Sequence, residues 1–88
     1  MIYRSQSIKN MVLLPINPMA IRSSEDFGTQ LRARRRELDL SQEDLANVIG
    51  TNRRVLGRLE RGVGTVRLEI AIEAARALGL DLDLVPRR

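Results

Sequence analysis

From Ser23 onward apolar positions recur at helical spacing, and they divide the chain into successive elements. In the first, Phe27, Leu31 and Leu38 fall within roughly 40° of one another at about 100° per residue. That spacing predicts a helix to about Leu38, with Arg32 and Arg36 pointing away. Ser24 is its expected N-cap, and Glu25 and Asp26 lie in the first turn, where carboxylates favour the positive end of the helix dipole. A second helix opens at Ser41, with Asp44 where a capping box prefers Glu or Gln. It turns Leu45, Ala46, Val48 and Ile49 inward and ends at Gly50, the residue best suited to a left-handed terminus.

A third helix follows at once, capped by Asn52 or Thr51 and running to about Arg61 before Gly62. Leu56 and Leu59 define one side with Val55 beside them. Arg54, Gly57, Arg58 and Arg61 span roughly 100° of the other. Two helices joined by a tight turn, the second carrying arginines outward, make a helix-turn-helix.

The fourth helix, about Arg67 to Leu78, crowds Glu69, Glu73 and Arg76 into a polar arc of roughly 60°. Ile70, Ala74 and Ala77 lie off its Leu68, Ile72, Ala75 and Leu78 stripe and call for a second burial partner, most simply the same helix of another subunit. After Gly79 the period becomes two: Leu80, Leu82 and Leu84 alternate with Asp81 and Asp83 until Pro86. A lone strand needs a partner, most simply its own copy across a two-fold axis, and its aspartates protect the edge. The expectation is an all-α, compact four- to five-helix bundle, plus a short C-terminal β-strand paired across a dimer. Its divisions are an N-terminal arm at 1–22, a helix-turn-helix domain at 23–79, a dimerising strand at 80–85 and a solvated tail at 86–88.

The arm has Arg4, Lys9 and Arg22, no acid, two prolines and no helical period. Met11 to Ile16 is a candidate short strand, and Met19 is a candidate translation start. With 88 residues the chain makes one domain. A chain of this size buries only about 60% of its unfolded surface, so help from a second subunit is expected. The lack of Cys and His removes disulfides, thiol chemistry, the usual zinc ligands and the commonest general base. Glu43 with Asp44, and Glu69 with Glu73, have no nucleophile beside them and read as surface carboxylates. Neither catalysis nor a metal or small-molecule cofactor is expected.

Lys and Arg total 15 against 11 acids, for a net charge of +4, and every basic residue except Lys9 is arginine. That bias favours a phosphate-bearing partner, because the guanidinium fork binds phosphates and guanine edges bidentately. One Phe, one Tyr and no Trp leave little for base stacking, so double-stranded DNA is preferred over RNA or single strands. The apolar run from Met11 to Ile16 is far short of the roughly 20 residues of a membrane span. No secretory cleavage pattern follows it, so a cytoplasmic protein is expected.

The stretch LSQEDLANVIGTNRRVLGRLERG, residues 40–62, resembles the helix-turn-helix core of the Cro/cI-type (XRE) repressors, which are lambda-repressor-like in fold. The run GTVRLEIAIEAARALGLDLDLV, residues 64–85, resembles the HipB-type antitoxin repressors. The resemblance implies dimerisation through the last helix and an intersubunit two-stranded sheet, with Ile70, Ala74, Ala77, Leu80, Leu82 and Leu84 at the interface. It implies that Gln42 touches the DNA backbone and that Asn52, Arg53 and Arg54 begin the recognition helix. Gly57 stands where the family commonly has a small hydroxyl residue and would give backbone clearance; Arg58 and Arg61 would hold phosphate. Arg35 and Glu60 match a pair that ties the first helix to the third, although the wheel places Arg34 nearer the buried stripe.

The function so implied is a homodimeric repressor on a palindromic operator, with recognition helices in successive major grooves about 34 to 36 Å apart. The HipB-type resemblance adds an antitoxin role with a HipA-type serine/threonine kinase toxin as partner. Two alternatives stand beside it: a phage-type or metabolic repressor without a toxin, and a protein-interaction module with weak DNA binding.

Overall fold

The computed structural model describes residues 20–87 and contains four helices among them: α1 (Ser24–Glu37), α2 (Gln42–Ile49), α3 (Arg53–Arg61) and α4 (Leu68–Ala77). Residues 1–19, with the expected Met11–Ile16 strand and the candidate start at Met19, lie outside the described residues, as does Arg88.

Helices α1, α2 and α3 begin where short polar side chains satisfy free backbone N–H groups. The cap of α1 is Ser23, one residue before the expected Ser24. Its Oγ accepts from the Asp26 N–H at 3.0 Å, while the Asp26 carboxylate accepts from the Arg22 N–H at 2.9 Å. Only Ser23 has the three-residue spacing to Asp26 that this exchange needs. At α2, Ser41 Oγ accepts from the Asp44 N–H at 2.9 Å, and Asp44 Oδ2 accepts from the Ser41 N–H at 3.0 Å. Asp thus completes a capping box usually closed by Glu or Gln. Asn52 caps α3 through Oδ1, which accepts from the Val55 N–H at 3.0 Å. Gly50 and Gly62 end α2 and α3 at φ 76° and 69°, left-handed values that cost other residues energy.

α3 packs against both α1 and α2, and α4 lies on α2. The core between them is Leu31, Leu45, Ala46, Leu56, Leu59, Ala74, Ala75 and Leu78, with Phe27, Leu40, Ile49, Val66, Ala71 and Leu80 packed round it. Four expected core positions, Leu38, Val48, Leu68 and Ile72, are solvent-facing instead. Leu38 is exposed because α1 has ended and Asp39, at φ 57°, turns the chain, so that Leu40 enters the core in its place. Val48 is 70% exposed. It lies about 105° round the wheel from the centre of the Leu45, Ala46 and Ile49 face.

In α4 the inward face is Ala71, Ala74, Ala75 and Leu78, while Leu68 and Ile72 are exposed. They sit about 70° and 110° from the centre of that face. The alanines let α4 lie close to α2, and Ala74, expected at a subunit interface, is wholly buried in its own chain's core. The Leu80 N–H donates to the Ala75 carbonyl at 2.9 Å, closing the end of α4. Residues 81–87 form no strand in the single chain. A strand draws its hydrogen bonds from a neighbour, and the neighbour expected here is another chain.

Candidate nucleic-acid interface

The turn between α2 and α3 is three residues, Gly50, Thr51 and Asn52, and it sets α3 against the rest of the domain with one side free. Leu56 and Leu59 are buried and Val55 is half-buried; Arg53, Arg54 and Arg61 are exposed and Arg58 is half-buried. None of these four arginines has a carboxylate partner among the described residues. In the last turn, Arg58 and Arg61 also suit the negative end of the helix dipole.

Beneath this surface lies a buried ion pair. Arg35 Nε donates to Glu60 Oε2 at 2.6 Å and Nη2 donates to Oε1 at 3.0 Å, a bidentate fork. A third donor, Nη1, reaches the Leu40 carbonyl at 2.7 Å. The hydrogen bond to Glu60 raises the Arg35 pKa above its ordinary value, with Coulomb attraction adding to it and burial opposing it. Gln42 joins the pair from α2: its Nε2 donates to Glu60 Oε1 at 3.0 Å. One carboxylate therefore ties together α1, α2 and α3.

Arg34 has a separate task, because its Nε donates to the Leu78 carbonyl at 2.9 Å and its Nη1 pairs with Glu37 at 3.1 Å. A cation at the end of α4 satisfies a carbonyl that the helix leaves free. Periodicity and resemblance pointed to different arginines, and each arginine bridges a different pair of elements.

Three site residues sit differently from a simple outward face. Gly57 is buried, and a methyl group on it would lie 3.2 Å from Arg61 Nη1 and about 4 Å from the Gln42 amide, so those side chains roof it over. Arg58 folds its guanidinium onto Gly64, where a side chain of any size would collide with it. Asn52 has its carbonyl oxygen engaged in the α3 cap, leaving its NH₂ donors for a ligand. The sequence reading missed Gly28. It is buried in α1, and any Cβ there would run into the Glu60 carbonyl and lie 2.6 Å from the Leu59 carbonyl oxygen. A glycine in mid-helix was the available signal.

Besides the buried Ala74, the predicted interface residues differ in exposure. Ile70 and Leu80 are half-buried, Ala77 is exposed, and Leu82 and Leu84 are 49% and 98% exposed. Leu82, Leu68, Phe27, Val63 and Val66 border a largely apolar groove of about 380 Å³. No helix among the described residues is long and apolar enough to cross a membrane.

A short, glycine-closed turn, a buried brace and a recognition-type helix with an open cationic edge are the parts of a DNA-binding helix-turn-helix. Residues 31–85 match the helix-turn-helix family model. The chain belongs to that family. It is similar to the uncharacterized HTH-type transcriptional regulator y4mF of Sinorhizobium fredii, with 31% identity over 65 residues covering 74% of this chain and 86% of that one. It is also similar to an uncharacterized HTH-type transcriptional regulator of Methanothermobacter thermautotrophicus, 43% identical over 51 residues, 58% of this chain and 74% of the relative. Among solved structures, the restriction-modification controller protein C.AhdI from Aeromonas hydrophila superposes with a TM-score of 0.60 at 38% identity, over 66% of this chain and 84% of that chain.

Proposed function

We propose that this chain is a sequence-specific regulator of transcription that binds a palindromic DNA operator as a homodimer. The observation that carries the reading is the α3 edge, where Arg53 and Arg54 stand exposed and unpaired on a helix braced from below by Arg35 and Glu60. In this reading Asn52, Arg53 and Arg54 reach base edges, and Gln42, Arg58 and Arg61 hold phosphates on either side. Gly57 keeps the floor low enough for Gln42 and Arg61 to close over it. A second copy covers the apolar surface around Leu68, Ile72, Leu82 and Leu84, with the 80–85 segments pairing as strands.

The genetic setting has two candidate forms. The TVRLE segment and the alternating Leu–Asp tail favour an antitoxin that represses its own operon and binds a HipA-type kinase toxin. The similarity to C.AhdI favours a controller of a restriction-modification operon. Co-purification of the tagged chain with the product of an adjacent kinase-like reading frame supports the first; an operator upstream of a restriction endonuclease gene supports the second.

The DNA reading is tested by mobility shift on the chain's own upstream region against random duplex. Binding through six or more phosphates should lose about 10³-fold in affinity between 50 and 200 mM salt. Equal affinity for both duplexes, or indifference to salt, returns the chain to the protein-interaction alternative.

A further inference from the structure

Helix α1 enters the DNA reading only through the Arg35 brace, yet it carries two further arginines that no carboxylate among the described residues neutralises. Arg32 and Arg36 are both exposed and four residues apart, on one face of the helix. Glu37 is engaged by Arg34 and Glu60 by Arg35, so neither free guanidinium has a carboxylate partner among the described residues. Like charges at this spacing repel and weaken the helix.

Both arginines border a cleft of about 420 Å³ whose far wall is Gln42 at the start of α2 and Arg53 at the start of α3. Arg35, also in the lining, is already neutralised by Glu60, and Glu43 is the one acid in the wall. The cleft is therefore net positive. Arg53 belongs both to this cleft and to the recognition edge of α3. A DNA strand lying along that edge would pass directly into the cleft.

We propose that the cleft is an additional backbone-phosphate site, in which Arg32 and Arg36 clamp phosphates of one DNA strand beside those reached by α2 and α3. The inference rests on the duplex-DNA reading above and extends the footprint onto a helix outside the helix-turn-helix. Two guanidinium groups four residues apart, about 6 Å along the axis, suit successive phosphodiesters better than a single phosphate ion. The contacts carry no sequence information and serve register and affinity.

The test compares the salt dependence of binding for the parent, the Arg32→Gln/Arg36→Gln double variant and an Arg67→Gln/Arg76→Gln control, which removes the same charge from exposed arginines outside the cleft. Each is titrated against the upstream duplex and a random duplex. The double variant should reduce the slope of log K against log salt by about two. It should weaken both duplexes by the same factor without lowering the thermal unfolding midpoint, since it relieves the repulsion between the two arginines. The control should keep the parent slope.

A double-variant slope equal to the parent's, or a control that lowers the slope as much, overturns the cleft site while leaving the DNA reading intact. A parent that binds neither duplex in a salt-sensitive way overturns both. Inorganic phosphate added at constant ionic strength should not compete. Competition that disappears in the double variant would identify a free-anion site instead.

Discussion

Two glycines inside helices show how one methyl group can act with opposite sign. At Gly28 it would meet backbone carbonyls of α3, which cannot move without separating the helices. Gly28→Ala should destabilise by about 3 kcal/mol, at the upper end of overpacking costs, read as a lower urea midpoint with unchanged slope. At Gly57 the methyl would meet the far end of the Arg61 side chain, which can swing aside. Gly57→Ala should therefore stabilise by up to about 1 kcal/mol through helix propensity; a loss of melting temperature would show that the Gln42 and Arg61 roof is rigid. The buried pair sets a third expectation. Glu60→Ala leaves the Arg35 guanidinium buried without its counter-charge, a defect worth about 3 to 5 kcal/mol. The sequence exposed the arginine face of α3 but concealed these details, because which residue faces a backbone carbonyl depends on how two helices cross.

Among the elements, α2 and α3 were readable because their signals are local: a cap residue, an acid three positions on, an inward Leu, a closing glycine. Ser41 and Asp44 make the best case, and they imply a pH dependence. The Ser41 N–H, and then its hydroxyl, hold the Asp44 carboxyl below its ordinary pKa. A group whose pKa is lowered on folding stabilises the fold above its unfolded pKa and loses that contribution as pH falls through the folded one. The stability gap between parent and Asp44→Asn should be open at neutral pH and close in acid; a gap constant across the titration would mean the charge is immaterial to the cap. Helix α4 was less legible. Leu68, Ile72, Ala74 and Ala75 all look apolar, and only the close approach to α2 selects the alanines for the core. Its start at Arg67 has no side-chain cap either.

In the whole molecule, the apolar residues left outside the core are the least settled by one chain. Leu68, Leu84 and Val85 are 72%, 98% and 74% exposed, more than a small domain normally leaves in water without a partner. Leu82→Asp and Leu84→Asp should each shift the chain towards monomer by light scattering and weaken operator binding; an unchanged dimer mass would place the contact elsewhere. The alternation at 80–85 was visible in the sequence, but a strand's partner is not, so its pairing had no address in a single chain.

The three-helix knot at Glu60 has a bearing on protein engineering as well. Residues 41–62 look like a portable unit, contiguous and neatly capped at both ends. Their central carboxylate nevertheless borrows its cation from α1, outside that stretch. Grafting the two helices onto a foreign scaffold would transplant the recognition surface without its keystone, and the orphaned acid would drive the helices apart unless the new host offered an arginine in the same place.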